Sequence, residues 1–235
     1  MTTYSGTGNL ELMADAVNYN AFLLDLVRSQ AQQGQNILDV GAGIGTFAIA
    51  LAREGFRVAC VEPDPEQARV IAAAGLPVAR SMPQVADGSV DYLYALNVLE
   101  HIEDDVAALA EWRTKLKPGA ALLVYVPAFQ RLYSSMDRRV GHCRRYRRSE
   151  LSRLLESAGF DVLRTRYADS AGFFASLLFK ALGNDSGIPD RRALILYDRA
   201  VFPASRFADH LLGAFFGKNV MAIARRPAEP LAPPR

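Results

Sequence analysis

The chain has 235 residues, half of them hydrophobic, with 27 Lys and Arg against 25 Asp and Glu, giving a net charge of +2. That suits one α/β domain with a full core and leaves little room for a second, while the weak net charge offers no argument for nucleic acid as a partner. Cys60 and Cys143 match no metal-ligand spacing, so no metal is expected, and no apolar run is long enough to span a bilayer.

Leu12, Met13, Ala16, Tyr19, Leu23, Leu26 and Val27 recur near helical spacing and predict a helix over 10–33. Residues 1–12 lack a basic stretch followed by an apolar core, so no signal peptide and a cytoplasmic location are expected. A strand is expected over 36–40, a helix over 46–54 stopped by Gly55, a strand over 57–62 and a helix over 65–74 ended by Gly75. A short strand over 77–80 and the turn Asp87-Gly88-Ser89 lead into a strand over 90–96. A helix over 103–116 ends at Lys117-Pro118-Gly119, and a strand over 120–126 is stopped by Pro127. A loop rich in arginine then runs to Arg148, and Ser149 is expected to cap a helix ending at Gly159. A strand over 160–167, an apolar helix over 171–182, a loop over 183–190, helical sequence over 191–216 interrupted near Pro203, and a strand over 219–225 complete the chain. Strands alternating with helices imply βαβ units and a mostly parallel sheet. One domain is expected: a helical cap (1–35), a cofactor-binding core (36–167), a helical insertion or lid (168–217), the last strand (218–226) and a tail rich in Pro and Ala (227–235).

The stretch Ile37 to Thr46 is the strongest motif. An apolar run ends in Asp39, and Gly41, Gly43 and Gly45 follow at alternate positions before a helix. Glycine has no Cβ to hold a ligand away from the backbone, so such a turn suits a nucleotide-type ligand at the carboxyl edge of a parallel sheet. The dinucleotide fingerprint G-x-G-x-x-G is not met, because Thr46 stands at its last glycine. Asp39 in front of the turn would repel phosphate and attract an ammonium group. Glu62, at the end of the second strand, is placed to accept from ribose hydroxyls. A ribose and an amino acid without phosphate describe S-adenosylmethionine. The plainer readings are a ligand-free sharp turn, a loop-capping role for Asp39 and a surface acid at Glu62.

The segments Ile37–Gly45, Val61-Glu62-Pro63-Asp64, Asp91–Ile102 and Leu116-Lys117-Pro118-Gly119, in this order, resemble the class I S-adenosylmethionine-dependent methyltransferases of the type 11 and 12 kind. The resemblance covers roughly 10–227. It implies a Rossmann-like seven-stranded, mostly parallel sheet with helices on both faces, in which strand seven is antiparallel and lies beside strand five. It implies S-adenosylmethionine as cofactor and S-adenosylhomocysteine as product. Gly41, Ala42 and Gly43 would line the methionine part, with Asp39 near its amine. Glu62 would hold the ribose, Pro63 and Asp64 would lie near the adenine, and Ser81 and Met82 would flank that ring. Asn97 and Val98 would contact the cofactor through backbone groups. Tyr19, within Asn18-Tyr19-Asn20, joins this cofactor set. For Ser81 and Met82 ordinary loop and core packing is the alternative.

The run from Pro127 through Leu132-Tyr133 and Asp137 to Gly141-His142-Cys143-Arg144-Arg145-Tyr146 resembles one bacterial branch of these enzymes whose acceptors are unassigned. Its position after strand five makes Tyr133, Arg138, Arg144, Arg145 and Tyr146 candidates for an acceptor bearing carboxylate or phosphate, which arginine binds bidentately. A solvated or internally paired basic face is the alternative. His142 and His101 are candidate catalytic bases that could take a proton from the nucleophile; the alternative is an imidazole that pins a loop. The aromatic stretch after Tyr167 could be a lid over a small-molecule or lipid-like acceptor, a homodimer interface or extra core, with membrane contact less favoured. A non-enzymatic protein that binds the same cofactor, and a nicotinamide oxidoreductase, are the rival functions.

Overall fold

A computed structural model describes residues 15–181 and 191–228. The chain alternates strand and helix: α1 (Val17–Arg28), β1 (Asn36–Val40), α2 (Thr46–Arg53), β2 (Arg57–Val61), α3 (Pro65–Ala73), β3 (Val78–Ala79), β4 (Val90–Leu96), α4 (Asp105–Lys115) and β5 (Leu116–Pro127). Then come α5 (Ser135–Val140), α6 (Arg148–Ser157), β6 (Asp161–Ala168), α7 (Ser170–Ala181), α8 (Arg191–Leu196), α9 (Phe202–Leu212) and β7 (Asn219–Arg225). The seven strands form one sheet in the order β3-β2-β1-β4-β5-β7-β6. β7 runs antiparallel to both β5 and β6, pairing Val124 with Ala222 and Thr165 with Ala222 across its two edges. This is the Rossmann-like arrangement that the resemblance implied.

Each face of the sheet carries its own core. On one, Leu23, Leu26 and Val27 of α1, Ala48 and Leu51 of α2 and Ile71 of α3 pack on Ile37, Val58 and Tyr92. On the other, Leu109 and Trp112 of α4 and Leu151 and Leu155 of α6 pack on Leu93, Leu122 and Val124. Burying the aliphatic side chains stabilises the fold by roughly 1.5–3 kcal/mol each, before the loss of chain entropy is counted.

Several boundaries depart from expectation. β5 begins at Leu116, directly after α4, so Lys117-Pro118-Gly119 lies inside a strand. A register shift against β4 between Val90 and Tyr92 absorbs Pro118 and Gly119. The arginine loop contains the helix α5, opened by a capping box in which Asp137 accepts from the Ser134 N–H at 2.8 Å. Ser149 does not cap α6; it lies inside the first turn, and Glu150 closes the end by accepting from the Arg147 N–H at 2.8 Å. The break near Pro203 is a π-helical turn, Tyr197–Val201, immediately before α9, and Pro203 sits in the first turn, where proline is tolerated. Of the expected 10–33 helix, residues 10–14 lie outside the described residues, as do Leu182, the 183–190 loop and residues 229–235 of the tail.

The insertion does not supply much extra core. Phe173 and Phe202 are buried, whereas Phe207, Leu211, Leu196 and Phe215 are 77, 75, 66 and 64% exposed. No helix among the described residues is long and apolar enough to cross a membrane.

Candidate functional site

The carboxyl ends of four neighbouring parallel strands, in the order β3-β2-β1-β4, bring the predicted cofactor residues to one edge. After β1 the chain turns sharply, and the Gly41 and Ala42 N–H groups both reach the Val61 carbonyl, at 2.8 and 3.3 Å. Gly41, Gly43 and Gly45 have φ of +68, +59 and +80°, a region that residues with a Cβ rarely occupy. At Gly41 a Cβ would stand 2.5 Å from Val98 Cγ2, so the turn and the segment after β4 touch only because that position is glycine. At Gly45 it would stand 3.0 Å from Ile71, which couples the start of α2 to α3.

Glu62 locks this turn to β2. One carboxylate oxygen accepts from the Gly43 N–H at 2.7 Å and the other from the Asp64 N–H at 2.8 Å. The side chain is buried, which raises its carboxyl above the ordinary range, opposed by those two N–H donors. Asp64 has a structural duty: its carboxylate caps α3, accepting from the Glu66 and Gln67 N–H groups at 2.9 and 3.0 Å. The Arg80 guanidinium donates to the Glu62 carbonyl at 3.2 Å and also to the Pro63 carbonyl, fixing the turn beyond β2. Pro63 and Ser81 are exposed, while Met82 is buried with the α4 and α6 core.

Asp39 lies beneath the turn, buried, and accepts from the Tyr94 hydroxyl at 2.8 Å. Burial lifts its carboxyl to about 7, with the nearby Glu62 adding to the shift and Tyr94 opposing it. Asn97, at φ +54°, gives its N–H to the Tyr125 carbonyl at 2.7 Å. The Tyr19 hydroxyl lies 3.4 Å from that of Tyr125. Burial pushes the Tyr19 phenol up to about 12.

Tyr19 owes its place to a residue far along the chain. Asp198, buried in the π-helical turn, accepts from the Asn18 and Tyr19 N–H groups, both at 2.9 Å, and so caps α1 from outside. Asp209 caps α7 in the same way through the Asp169 and Ser170 N–H groups, and Asp169 accepts from Tyr197 at 2.5 Å and Ser205 at 3.0 Å. Sequence reasoning did not single out these three aspartates. Asp198 and Asp209 show in the sequence only as acids inside apolar helical stretches, and Asp169 as an acid at the entry to a helix.

The loop after β5 folds back on the segment after β4. The Cys143 N–H donates to the Glu100 carbonyl at 2.7 Å, and the Tyr146 hydroxyl donates to Asp105 at 2.9 Å. His142 Nδ1 lies 2.7 Å from Asp137 Oδ1, and Tyr133 donates to the His142 carbonyl at 2.7 Å. The His101 and His142 rings meet edge to face, 4.7 Å between centroids. Burial lowers His101 to about 4, reinforced by His142. Asp137 is buried too, yet His142 and Arg145 hold its carboxyl well below the usual range. Glu100 is fully buried with no hydrogen-bond partner on either carboxylate oxygen, and burial raises it to about 8.

Four of the candidate acceptor ligands are engaged inside the protein, Tyr133 through its hydroxyl on the His142 carbonyl. Arg145 pairs with Asp137 through two nitrogens, at 2.8 and 2.9 Å, Arg144 pairs with Asp105 at 2.8 Å, and Tyr146 is buried. Arg144 and Tyr146 zip the loop onto the segment 99–105, while Arg145 ties the loop to itself through Asp137. Arg138 is exposed and Tyr133 is partly buried.

Residues 9–165 match the family described as methyltransferase domain. The chain belongs to that family. The methyltransferase-domain match is accompanied by 42% identity over 103 residues to an uncharacterized methyltransferase of Mycobacterium sp. (strain JLS), covering 39% of this chain and 39% of that protein. The aligned part is thus about two fifths of the relative's own length. In three dimensions the chain superposes on an S-adenosylmethionine-dependent methyltransferase from Thermotoga maritima with a TM-score of 0.66 and 17% identity, covering 94 and 96% of the two chains. It superposes on the [4+2]-cyclase SpnF with a TM-score of 0.63 and 18% identity, covering 97% of each. The methyltransferase domain here therefore has the class I methyltransferase fold.

Proposed function

We propose that this domain transfers the methyl group of S-adenosylmethionine to a small-molecule or lipid-like acceptor, leaving S-adenosylhomocysteine. The observation that carries the reading is the Glu62 carboxylate, clamped between the Gly43 and Asp64 N–H groups and buried at the carboxyl end of β2. Those two bonds leave carboxylate lone pairs for ribose hydroxyls. The donor set also fits the rest of the cofactor. Gly41, Ala42 and Gly43 offer a backbone without side-chain obstruction, Asp39 offers a buried carboxyl of opposite sign to an ammonium group, and nothing in the turn provides a cation for phosphate.

In this reading Pro63, Asp64, Ser81 and Met82 surround the adenine, Asn97 and Val98 contribute backbone groups, and Tyr19 closes the site from α1. Bound there, the cofactor supplies an electrophilic sulfonium methyl. The chain's own task is to align the acceptor and manage its proton. His142, oriented by Asp137, keeps Nε2 turned from that carboxylate; His101, neutral at physiological pH, stands beside it. Arg138, exposed on the loop, is a candidate for holding an anionic acceptor, and the exposed apolar side chains of α9 suit one with an apolar body.

Calorimetry with S-adenosylmethionine, S-adenosylhomocysteine and NAD tests the cofactor assignment, and binding of NAD alone would overturn it. The acceptor is found by incubating cell extract with cofactor labelled on the methyl group. His142→Ala is expected to lower turnover at least a hundredfold while cofactor affinity stays within a few-fold, in line with the usual size of acid–base contributions. The rival reading is a non-enzymatic protein that binds the same cofactor. Absence of any labelled product despite tight cofactor binding would select that rival.

A further inference from the structure

We infer that Glu100, His101 and His142 form a binding site for one divalent transition-metal ion of the zinc type. This departs from the expectation of no metal, which rested on cysteine spacing, and it goes beyond methyl transfer as such. One ligand atom from each of the three side chains lies within 4.8 Å of the others. His142 Nε2 stands 3.8 Å from Glu100 Oε1, too far for a hydrogen bond and close enough for two ligands of one ion. Bonds of about 2.1 Å in a tetrahedral site place ligand atoms roughly 3.4 Å apart, so small side-chain rotations close the site.

Three further observations point to a cation. Both Glu100 oxygens are buried and without a hydrogen-bond partner, which is costly for a carboxylate unless something compensates it. The other buried acid of the cluster, Asp137, is already paired with Arg145, so Glu100 is the acid left without a hydrogen-bond partner. And Asp137 holds His142 through Nδ1 at 2.7 Å, the carboxylate–histidine arrangement that fixes a metal-binding imidazole and presents its other nitrogen.

Two imidazoles and one carboxylate make a borderline donor set that prefers zinc-like ions to magnesium or calcium. Three protein ligands leave a fourth position open, as in catalytic zinc sites. Glu100 and His101 follow Asn97 and Val98 in the chain, separated from them only by Leu99. Where the ion is bound, His142 Nε2 is committed to it, and the ion rather than the imidazole meets an acceptor oxygen or nitrogen. That use rests on the proposed methyl transfer. The binding itself does not.

The test uses the whole chain, stripped with chelator and titrated with Zn2+ alone against a chromophoric competitor, without cofactor or acceptor. One tightly held Zn2+ per chain is expected. His142→Ala, His101→Ala and the near-isosteric Glu100→Gln are each expected to weaken it at least tenfold, and Asp137→Asn by about 10–100-fold. The exposed His210 is the only other histidine, and His210→Ala should leave the affinity unchanged. Circular dichroism establishes that each variant is folded; if one is not, the wild-type stoichiometry together with Glu100→Gln still decides. No binding, or equal binding by wild type, Glu100→Gln and His142→Ala (an adventitious ion only), would overturn the inference. Because no cofactor is present, failure of the methyl-transfer reading would leave this result intact.

Discussion

The Tyr94 hydroxyl donates to Asp39 at 2.8 Å between β1 and β4, and both residues are buried beneath the glycine turn. The bond satisfies one oxygen of a carboxyl that burial otherwise keeps neutral. Its folded-state value of about 7 against an ordinary 3.8 means that the folded chain holds a proton the unfolded chain has lost. The stability contributed by this group is therefore present at low pH and is lost as pH rises to about 7. A ligand ammonium favours the ionised form. Affinity for S-adenosylmethionine is expected to rise roughly tenfold from about pH 5.5 to pH 7. Calorimetry across that range should show the slope in the wild type and a flat profile in Asp39→Asn.

Gly41→Ala meets two obstacles, a φ of +68° and a Cβ 2.5 Å from Val98 Cγ2. Strain of this kind costs about 1–3 kcal/mol. Thermal melts should record that loss, and cofactor affinity should fall at least tenfold. Adding Val98→Ala removes the contact and leaves the dihedral, so the double variant should recover only part of it.

Glu62→Gln keeps the shape and replaces one acceptor oxygen by an NH2 group, so either Gly43 or Asp64 loses its partner. A buried donor left unpaired costs about 1–3 kcal/mol. Cofactor affinity, measured by titration, is expected to drop between fivefold and a hundredfold. An unchanged affinity would remove Glu62 from the site.

Asp198→Ala uncaps α1 and releases the Tyr19 backbone while removing no side chain proposed to touch the cofactor. The loss should amount to about 1–2 kcal/mol in denaturant unfolding, the range for removing a cap. Because Tyr19 is one of the two residues whose N–H is capped, cofactor affinity should fall as well. Val17→Ala, on the exposed side of the same helix, should do neither.

Much of the cofactor side was readable because its signals are local. Asn36–Val40, Val90–Leu96 and Asn219–Arg225 appear as expected, being apolar runs bounded by turn residues, and the glycine turn follows β1 directly. The acceptor side was harder because its logic joins distant positions. Pairing of the loop arginines with Asp137 is an alternative the sequence leaves open and is what Arg145 does, but nothing near Arg144 announces that Asp105 will consume its charge. Nothing near Glu100 announces that His142 will stand opposite it. α5 was hidden by its length of six residues and its arginines, and the early start of β5 by Pro118 and Gly119. The class of fold and cofactor follows from short motifs, while the acceptor pocket depends on side chains brought together only by the finished sheet.

The order of the strands has a consequence for synthesis. β5 and β6 are not paired with each other; both rest on β7, which follows them in the chain. A chain still lacking Asn219–Arg225 would carry one unpaired strand edge on β5 and would leave β6 without a sheet neighbour. α1, near the beginning, likewise waits for Asp198 to cap it. Helix α1 and the segment from Asp198 to Arg225 must therefore meet before the sheet between them is complete, so a ribosome-bound chain that has not yet released β7 is expected to expose sticky β edges and to lack a finished cofactor site.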